Sequence, residues 1–161
     1  MEILEYIEQY VDASIAKHNL LYVINNSIHY QVSEEAINEY KRQLTVISVE
    51  LLTALEGFLD IINGMNIVEM HKVVDALVSK VVKAREEIKL IRQSKYSLKK
   101  NRSAFYSVNG VKKCVDSVYD YAQSSFDLEI IELEKRILLL NTMITDINNR
   151  ILTKGSNSRN R

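Results

Sequence analysis

Proline and tryptophan are missing from this chain, and glycine and cysteine are rare. The 161 residues include no Pro and four Gly, where average usage would give about eight Pro and about eleven Gly. Because these two residues interrupt helices most strongly, their scarcity favours long, uninterrupted helices. The single Cys114 excludes an internal disulfide framework and any metal site built from several cysteines.

Long apolar runs and a net charge are also lacking. No apolar run approaches the roughly 18 residues of a membrane span. The opening residues MEILEYIEQY carry acids where a signal peptide would carry bases. The formal net charge is zero. We therefore expect a cytoplasmic protein of one domain, residues 1–153, followed by a polar and disordered tail, residues 154–161.

Apolar residues recur every three or four positions along most of the chain, which is the pattern of amphipathic helices. The pattern is clearest near the C-terminus, where it comprises Ile130, Leu133, Ile137, Leu140, Ile144, Ile147 and Ile151. Similar patterns predict helices over residues 2–25, 34–64 and 67–98. An apolar helix face is stable only when it is buried, and the other helices of the chain can pack against it.

Local signals mark the ends of these helices. Ser33, followed by two glutamates, predicts an N-cap, and Asn66 with Glu69 matches a capping box. Asn63-Gly64 predicts a left-handed C-cap. The short connection between the second and third helices predicts that they are antiparallel neighbours.

The last helix has two alternatives. Residues 110–153 form one helix that absorbs a break in periodicity at Ser124-Ser125, which is the version we favour, or a fifth helix starts there. We expect Gly155 to end the helix. Together the patterns predict an all-α fold, an antiparallel bundle of four or five long helices with coiled-coil-like heptad packing.

Motifs for catalysis or metal binding are absent. No Glu precedes a His by three residues, as carboxylate-bridged metal bundles require. The chain has no glycine-rich phosphate loop and no Gly-x-Ser-x-Gly sequence. Lys112 and Lys113 flank Cys114, but a small buried hydrophobe is the favoured interpretation of that cysteine. We predict no catalytic residue, metal, cofactor or small-molecule substrate.

Charge is distributed unevenly along the chain. Residues 1–75 hold twelve acids and four bases, a net charge of −8, whereas residues 80–113 hold eleven bases and two acids, a net charge of +9. The simplest interpretation pairs these bases with the acidic first and second helices. A protein partner, a nucleic acid or an anionic lipid surface would suit the same cations.

The end of the basic segment also contains aromatic residues, which can stack on bases or contact a protein. The predicted partner-binding residues are Lys95, Tyr96, Lys99, Lys100, Arg102, Phe105, Tyr106, Lys112 and Lys113.

The sequence therefore favours a non-enzymatic protein–protein interaction module, such as an adaptor, an inhibitor or an antitoxin-like or immunity-like factor. Self-association fits the same class, because Leu128, Ile131, Leu138 and Leu139 are apolar positions beyond the main stripe. The alternatives are a nucleic-acid-binding protein that uses residues 80–113 and a membrane-active bundle that opens to expose its apolar faces.

Overall fold

The computed structural model of the chain is all-helical. It describes the backbone of residues 2–105 and 112–159, and the side chains of residues 2–100 and 119–159. Four helices lie in these ranges, α1 (Ile3–Asn25), α2 (Glu34–Gly64), α3 (Ile67–Phe105) and α4 (Lys112–Arg159). None of the described residues lies in a β-strand. The predicted all-α class is therefore confirmed.

The predicted helix starts are confirmed by hydrogen bonds. The backbone N–H of Ala36 donates to Oγ of Ser33 at 3.2 Å, which caps α2. At the start of α3, the N–H of Glu69 donates to Oδ1 of Asn66 and the N–H of Asn66 donates to Oε2 of Glu69, both at 2.9 Å. This reciprocal pair is the capping box that the sequence predicted.

The predicted end of α2 is wrong in its geometry. The residue that follows Gly64 is Met65, which is extended, with φ −77° and ψ 145°, and its N–H donates to the carbonyl oxygen of Ile62 at 3.2 Å. The helix therefore ends without a left-handed residue, because a single tightened turn satisfies that carbonyl instead.

Helices α3 and α4 are longer than the apolar pattern predicted. Helix α3 continues past Leu98 to Phe105, and α4 is a single helix that includes Ser124, Ser125 and Gly155. A glycine inside a helix costs about 1 kcal/mol relative to alanine. One contact that holds this end of α4 is the ammonium group of Lys154, which donates to the carbonyl oxygen of Met65.

The chain divides into two compact units. The first, here called the four-helix unit, comprises Met1–Val78 and Leu139–Arg161. Its fully buried side chains come from all four helices and include Ile7, Phe58, Leu77 and Ile147. Burying apolar side chains of this size stabilises a fold by about 1.5–3 kcal/mol each.

Specific side-chain contacts join helices within the four-helix unit. The Tyr6 ring of α1 lies against the backbone of Gly57 in α2. At the other end of α2, the Arg150 guanidinium of α4 donates to Oδ1 of Asn63 at 3.2 Å and lies 5.9 Å from the centroid of the Phe58 ring. Small and planar groups thus set how closely these helices approach.

The second unit, here called the two-helix unit, comprises Ser79–Leu138 of α3 and α4. Its buried residues on α3 are Val81, Ala84 and Ile88, which follow the predicted 3–4 spacing. Throughout the part of the chain whose side chains are described, every buried residue is apolar. Polar groups therefore act at the surface of both units.

Candidate functional site

The predicted partner-binding segment is partly used inside the two-helix unit. Nζ of Lys95 on α3 lies 2.5 Å from Oδ1 of Asp127 on α4, and the carbonyl oxygen of Lys95 accepts a hydrogen bond from Nε2 of Gln123 at 3.4 Å. The Lys95 side chain is 37% exposed. This predicted binding residue is thus also part of the contact between α3 and α4.

A second pair repeats this arrangement. Nη2 of Arg92 lies 3.5 Å from Oε1 of Glu134. From Arg92 to Lys95 the residue numbers rise along α3, while those of the partners fall from Glu134 to Asp127 along α4. In these two pairs, the bases of α3 are matched by acids of α4, and not by acids of the first two helices as the simplest interpretation expected.

Three other predicted residues are exposed on one side of α3. Tyr96 is 69% exposed, and Lys99 and Lys100 are also exposed. Their spacing of three and four residues places them on one helix face. The side chains of Arg102, Phe105, Lys112 and Lys113, and Tyr106 as a whole, lie outside the described residues.

The outer face of α4 carries an exposed apolar stripe, here called the α4 seam. It consists of Tyr121, Leu128, Ile131 and Leu138, which are 79%, 64%, 46% and 68% exposed. The steps of seven, three and seven residues are those of a and d positions of a heptad repeat, whose other two positions in this stretch are Ser124 and Lys135. The seam extends for about 26 Å at about 1.5 Å per residue.

The α4 seam lies opposite a half-buried apolar stripe of the same part of α4. The buried residues of α4 are Leu140, Met143 and Ile147, and the apolar positions that precede them, such as Ile137, are half-buried. Successive residues are about 100° apart around a helix, and this puts Leu128 on the far side from Ile137. This part of α4 therefore has two apolar faces, one half-buried and the other, the α4 seam, exposed.

The loop between α1 and α2 forms a second exposed cluster that the sequence did not indicate. Ile28 is 95% exposed at its tip. The hydroxyl groups of Tyr22 and Tyr30 are 3.2 Å apart, and His29 meets the Tyr30 ring edge to face with centroids 5.1 Å apart. The hydrogen bond with Tyr22 raises the pKa of Tyr30 above its usual value. An aromatic, uncharged loop of this kind suits protein contact.

The described residues contain neither a metal-binding cluster nor a membrane-spanning helix. Among the side chains of residues 2–100 and 119–159, no three His, Cys, Asp or Glu side chains are placed to hold a metal ion. No helix in these ranges combines the length and the apolarity needed to cross a bilayer. Comparisons with protein-family models, with curated proteins and with solved structures found no match.

Proposed function

We propose that this protein is a non-enzymatic protein-binding module, which acts by occupying a surface of a partner through the α4 seam. The observation that carries the proposal is the alignment of Tyr121, Leu128, Ile131 and Leu138, each at least 46% exposed, on one face of α4. Single exposed hydrophobic residues are ordinary, whereas an aligned set is typical of an interaction surface.

The proposed mode of binding is helix-to-helix packing. In this proposal α3 and α4 form an antiparallel, coiled-coil-like pair, supported by the Arg92–Glu134 and Lys95–Asp127 contacts. One face of α4 serves that pairing and the other receives a helix of the partner, which is another protein or a second copy of this chain. An adaptor, an inhibitor or an antitoxin-like or immunity-like factor would use such a face. A cytoplasmic location is part of the proposal, since a single cysteine suits a reducing compartment.

Site-specific photo-crosslinking tests this proposal. A photoreactive residue is placed at Leu128 or Leu138, with Leu90 as the matched control because it is an exposed leucine of the same unit on α3. We expect a discrete crosslinked product in native cells from the two α4 positions and none from Leu90. Identical products from all three positions, or none from any, would contradict the proposal.

A charge substitution gives an independent test. Leu128→Glu with Ile131→Glu should abolish the crosslinked product and any self-association seen by sedimentation, because burying these carboxylates in an interface is costly. Leu90→Glu should change neither. Circular dichroism shows whether the variants keep their helices.

The second candidate function is nucleic-acid binding, favoured by the exposure of Tyr96, Lys99 and Lys100 on one face of α3. Lysines that contact phosphates make binding weaken steeply with salt. In this case Lys99→Ala with Lys100→Ala should lower the salt slope of mixed-sequence DNA or RNA binding by about two. Absence of binding at low salt would eliminate this candidate.

A further inference from the structure

A groove lies between α1 and α2 of the four-helix unit. It has a volume of about 590 Å³. Its apolar lining is formed by Ala13, Ala16, Ile47 and Val49, and its acidic lining by Asp12 and Glu50.

Small side chains create this groove. The α1 lining residues follow Tyr6 by three to ten positions, and the α2 lining residues precede Gly57 by four to ten positions. At one end, therefore, the Tyr6 ring lies on Gly57 and fills the space between the helices. Farther from Tyr6 along α1, the side chains of Ala13 and Ala16 are only methyl groups. They leave the space between α1 and α2 open.

The groove is accessible and apolar at its centre. Val49 lines it and is 60% exposed, and Val46, one turn earlier on α2, is 50% exposed. Ala13 is 6% exposed and forms part of the closed base. The exposed Val49 beside the buried Ala13 provides a shape that an amphipathic segment fills with its apolar side chains.

The charge around the groove indicates whether its ligand is cationic or anionic. Residues 1–75, which contain α1 and α2, carry a net charge of −8. Asp12 and Glu50 place acids on both helices at the groove itself. Such a field attracts a cationic partner and repels an anionic one.

We infer that the α1–α2 groove binds a basic amphipathic segment of another protein, whose apolar side chains contact Ala16 and Val49 and whose Lys or Arg side chains lie near Asp12 and Glu50. The lining of α1 from Gln9 to Ala16 is about 10 Å long. It therefore accommodates about two turns of a bound helix. Affinity arises from apolar contact, and selectivity for basic segments arises from Glu50 and from the net negative charge of residues 1–75.

Peptide binding to the full chain tests this inference. The probe is a fluorescent, amphipathic 14-residue peptide of Leu and Lys, and its control has the same pattern of Leu and Glu. We expect the Lys peptide to bind at least about tenfold more tightly than the Glu peptide at low salt, with the difference shrinking as salt is added. Equal binding of the two peptides would overturn the inference.

Two substitutions locate the site. Ala16→Leu fills the groove and should weaken binding of the Lys peptide about tenfold or more. Glu50→Lys should weaken it about threefold to tenfold. Glu56→Lys is the matched control, because Glu56 is an exposed acid of α2 outside the lining. Equal effects of Glu50→Lys and Glu56→Lys would mean that only the general charge acts, and the groove would be rejected.

Peptide binding at the groove can be tested separately from partner binding at the α4 seam. Leu128→Glu with Ile131→Glu should leave binding of the Lys peptide unchanged, because these residues belong to the two-helix unit. If that variant abolishes peptide binding while Ala16→Leu does not, the peptide site is the α4 seam and the groove assignment is wrong. Self-association that Ala16→Leu removes would assign the groove to a second copy and overturn the partner proposed here.

Discussion

The ring of Tyr6 lies so close to Gly57 that a methyl carbon built on that glycine would be 2.3 Å from Cε1 of the ring. Non-bonded carbon atoms do not approach this closely, so a side chain at position 57 requires the Tyr6 ring to move. Gly57 has a structural role as the surface on which α1 and α2 meet.

Gly57→Ala should therefore destabilise the fold. Displacing the ring costs about 1–3 kcal/mol, and the better helix propensity of alanine returns up to about 1 kcal/mol. We expect a net loss of about 1–2 kcal/mol in the free energy of unfolding, measured by chemical denaturation.

A double variant separates contact from propensity. In a Tyr6→Ala background, Gly57→Ala should stabilise the protein, because the clash is gone and only the gain in propensity remains. An equal loss in both backgrounds would contradict the contact. Gly155→Ala is the control, since nothing lies within 4 Å of a carbon added there and the residue is inside α4; it should be neutral or stabilising.

Arg150 should stabilise the four-helix unit through three neighbours at once. Its Nε donates to Oδ2 of Asp146 at 2.9 Å, its Nη1 donates to Oδ1 of Asn63, and its guanidinium lies beside the Phe58 ring. We expect Arg150→Ala to lower the free energy of unfolding by about 1–2 kcal/mol. Arg150→Lys should recover less than half, because an ammonium group cannot reproduce the planar set of donors. Full recovery by lysine would show that charge alone acts.

The capping box at the start of α3 gives a local prediction. Asn66→Ala removes the acceptor for the Glu69 N–H and should cost about 1 kcal/mol. Asn66→Ser keeps an acceptor and should cost less. Hydrogen exchange should show faster opening of the first turn of α3 in the alanine variant, and unchanged exchange there would refute the role of the cap.

Glu39 provides a pH-dependent prediction. Hydrogen bonds from Arg42, and then from Gln43, lower the pKa of Glu39 from 4.5 to about 2. Because the folded value lies below the unfolded one, the stabilisation is present above about pH 4.5 and is lost as the pH falls towards 2. In an NMR titration, Arg42→Ala should raise the pKa of Glu39 towards its usual value, and Arg42→Lys should raise it less. An unchanged pKa in Arg42→Ala would contradict this cause.

Much of the fold follows from the sequence because its determinants are local. Ser33 and Asn66 cap helices through atoms three residues away, and apolar periodicity identified the helices and the buried residues Leu140 and Ile147. Helix ends were harder to predict, because they depend on distant groups. The ammonium group of Lys154 in α4, for example, donates to the carbonyl oxygen of Met65, which follows the C-terminus of α2.

The surfaces were less predictable. Leu128 and Leu138 were identified from sequence as surplus apolar residues, but only packing shows that they remain exposed while Leu140 is buried. Lys95 was predicted to bind a partner, whereas its pairing with Asp127 depends on the register of two helices. Gly57 has no sequence signal, since nothing in its neighbourhood indicates that Tyr6 will reach it.

The wholly apolar interior has a consequence for folding fidelity. The described side chains include no buried polar residue. If a helix shifted along its neighbour, one aliphatic contact would therefore replace another, and no buried polar group would lose a hydrogen bond. Steric fit must then reject wrong alignments, and the contact of Gly57 with the Tyr6 ring is a position of close fit. Enlarging a small residue there would first be detected as a mixture of alternative alignments, before the helices themselves melt.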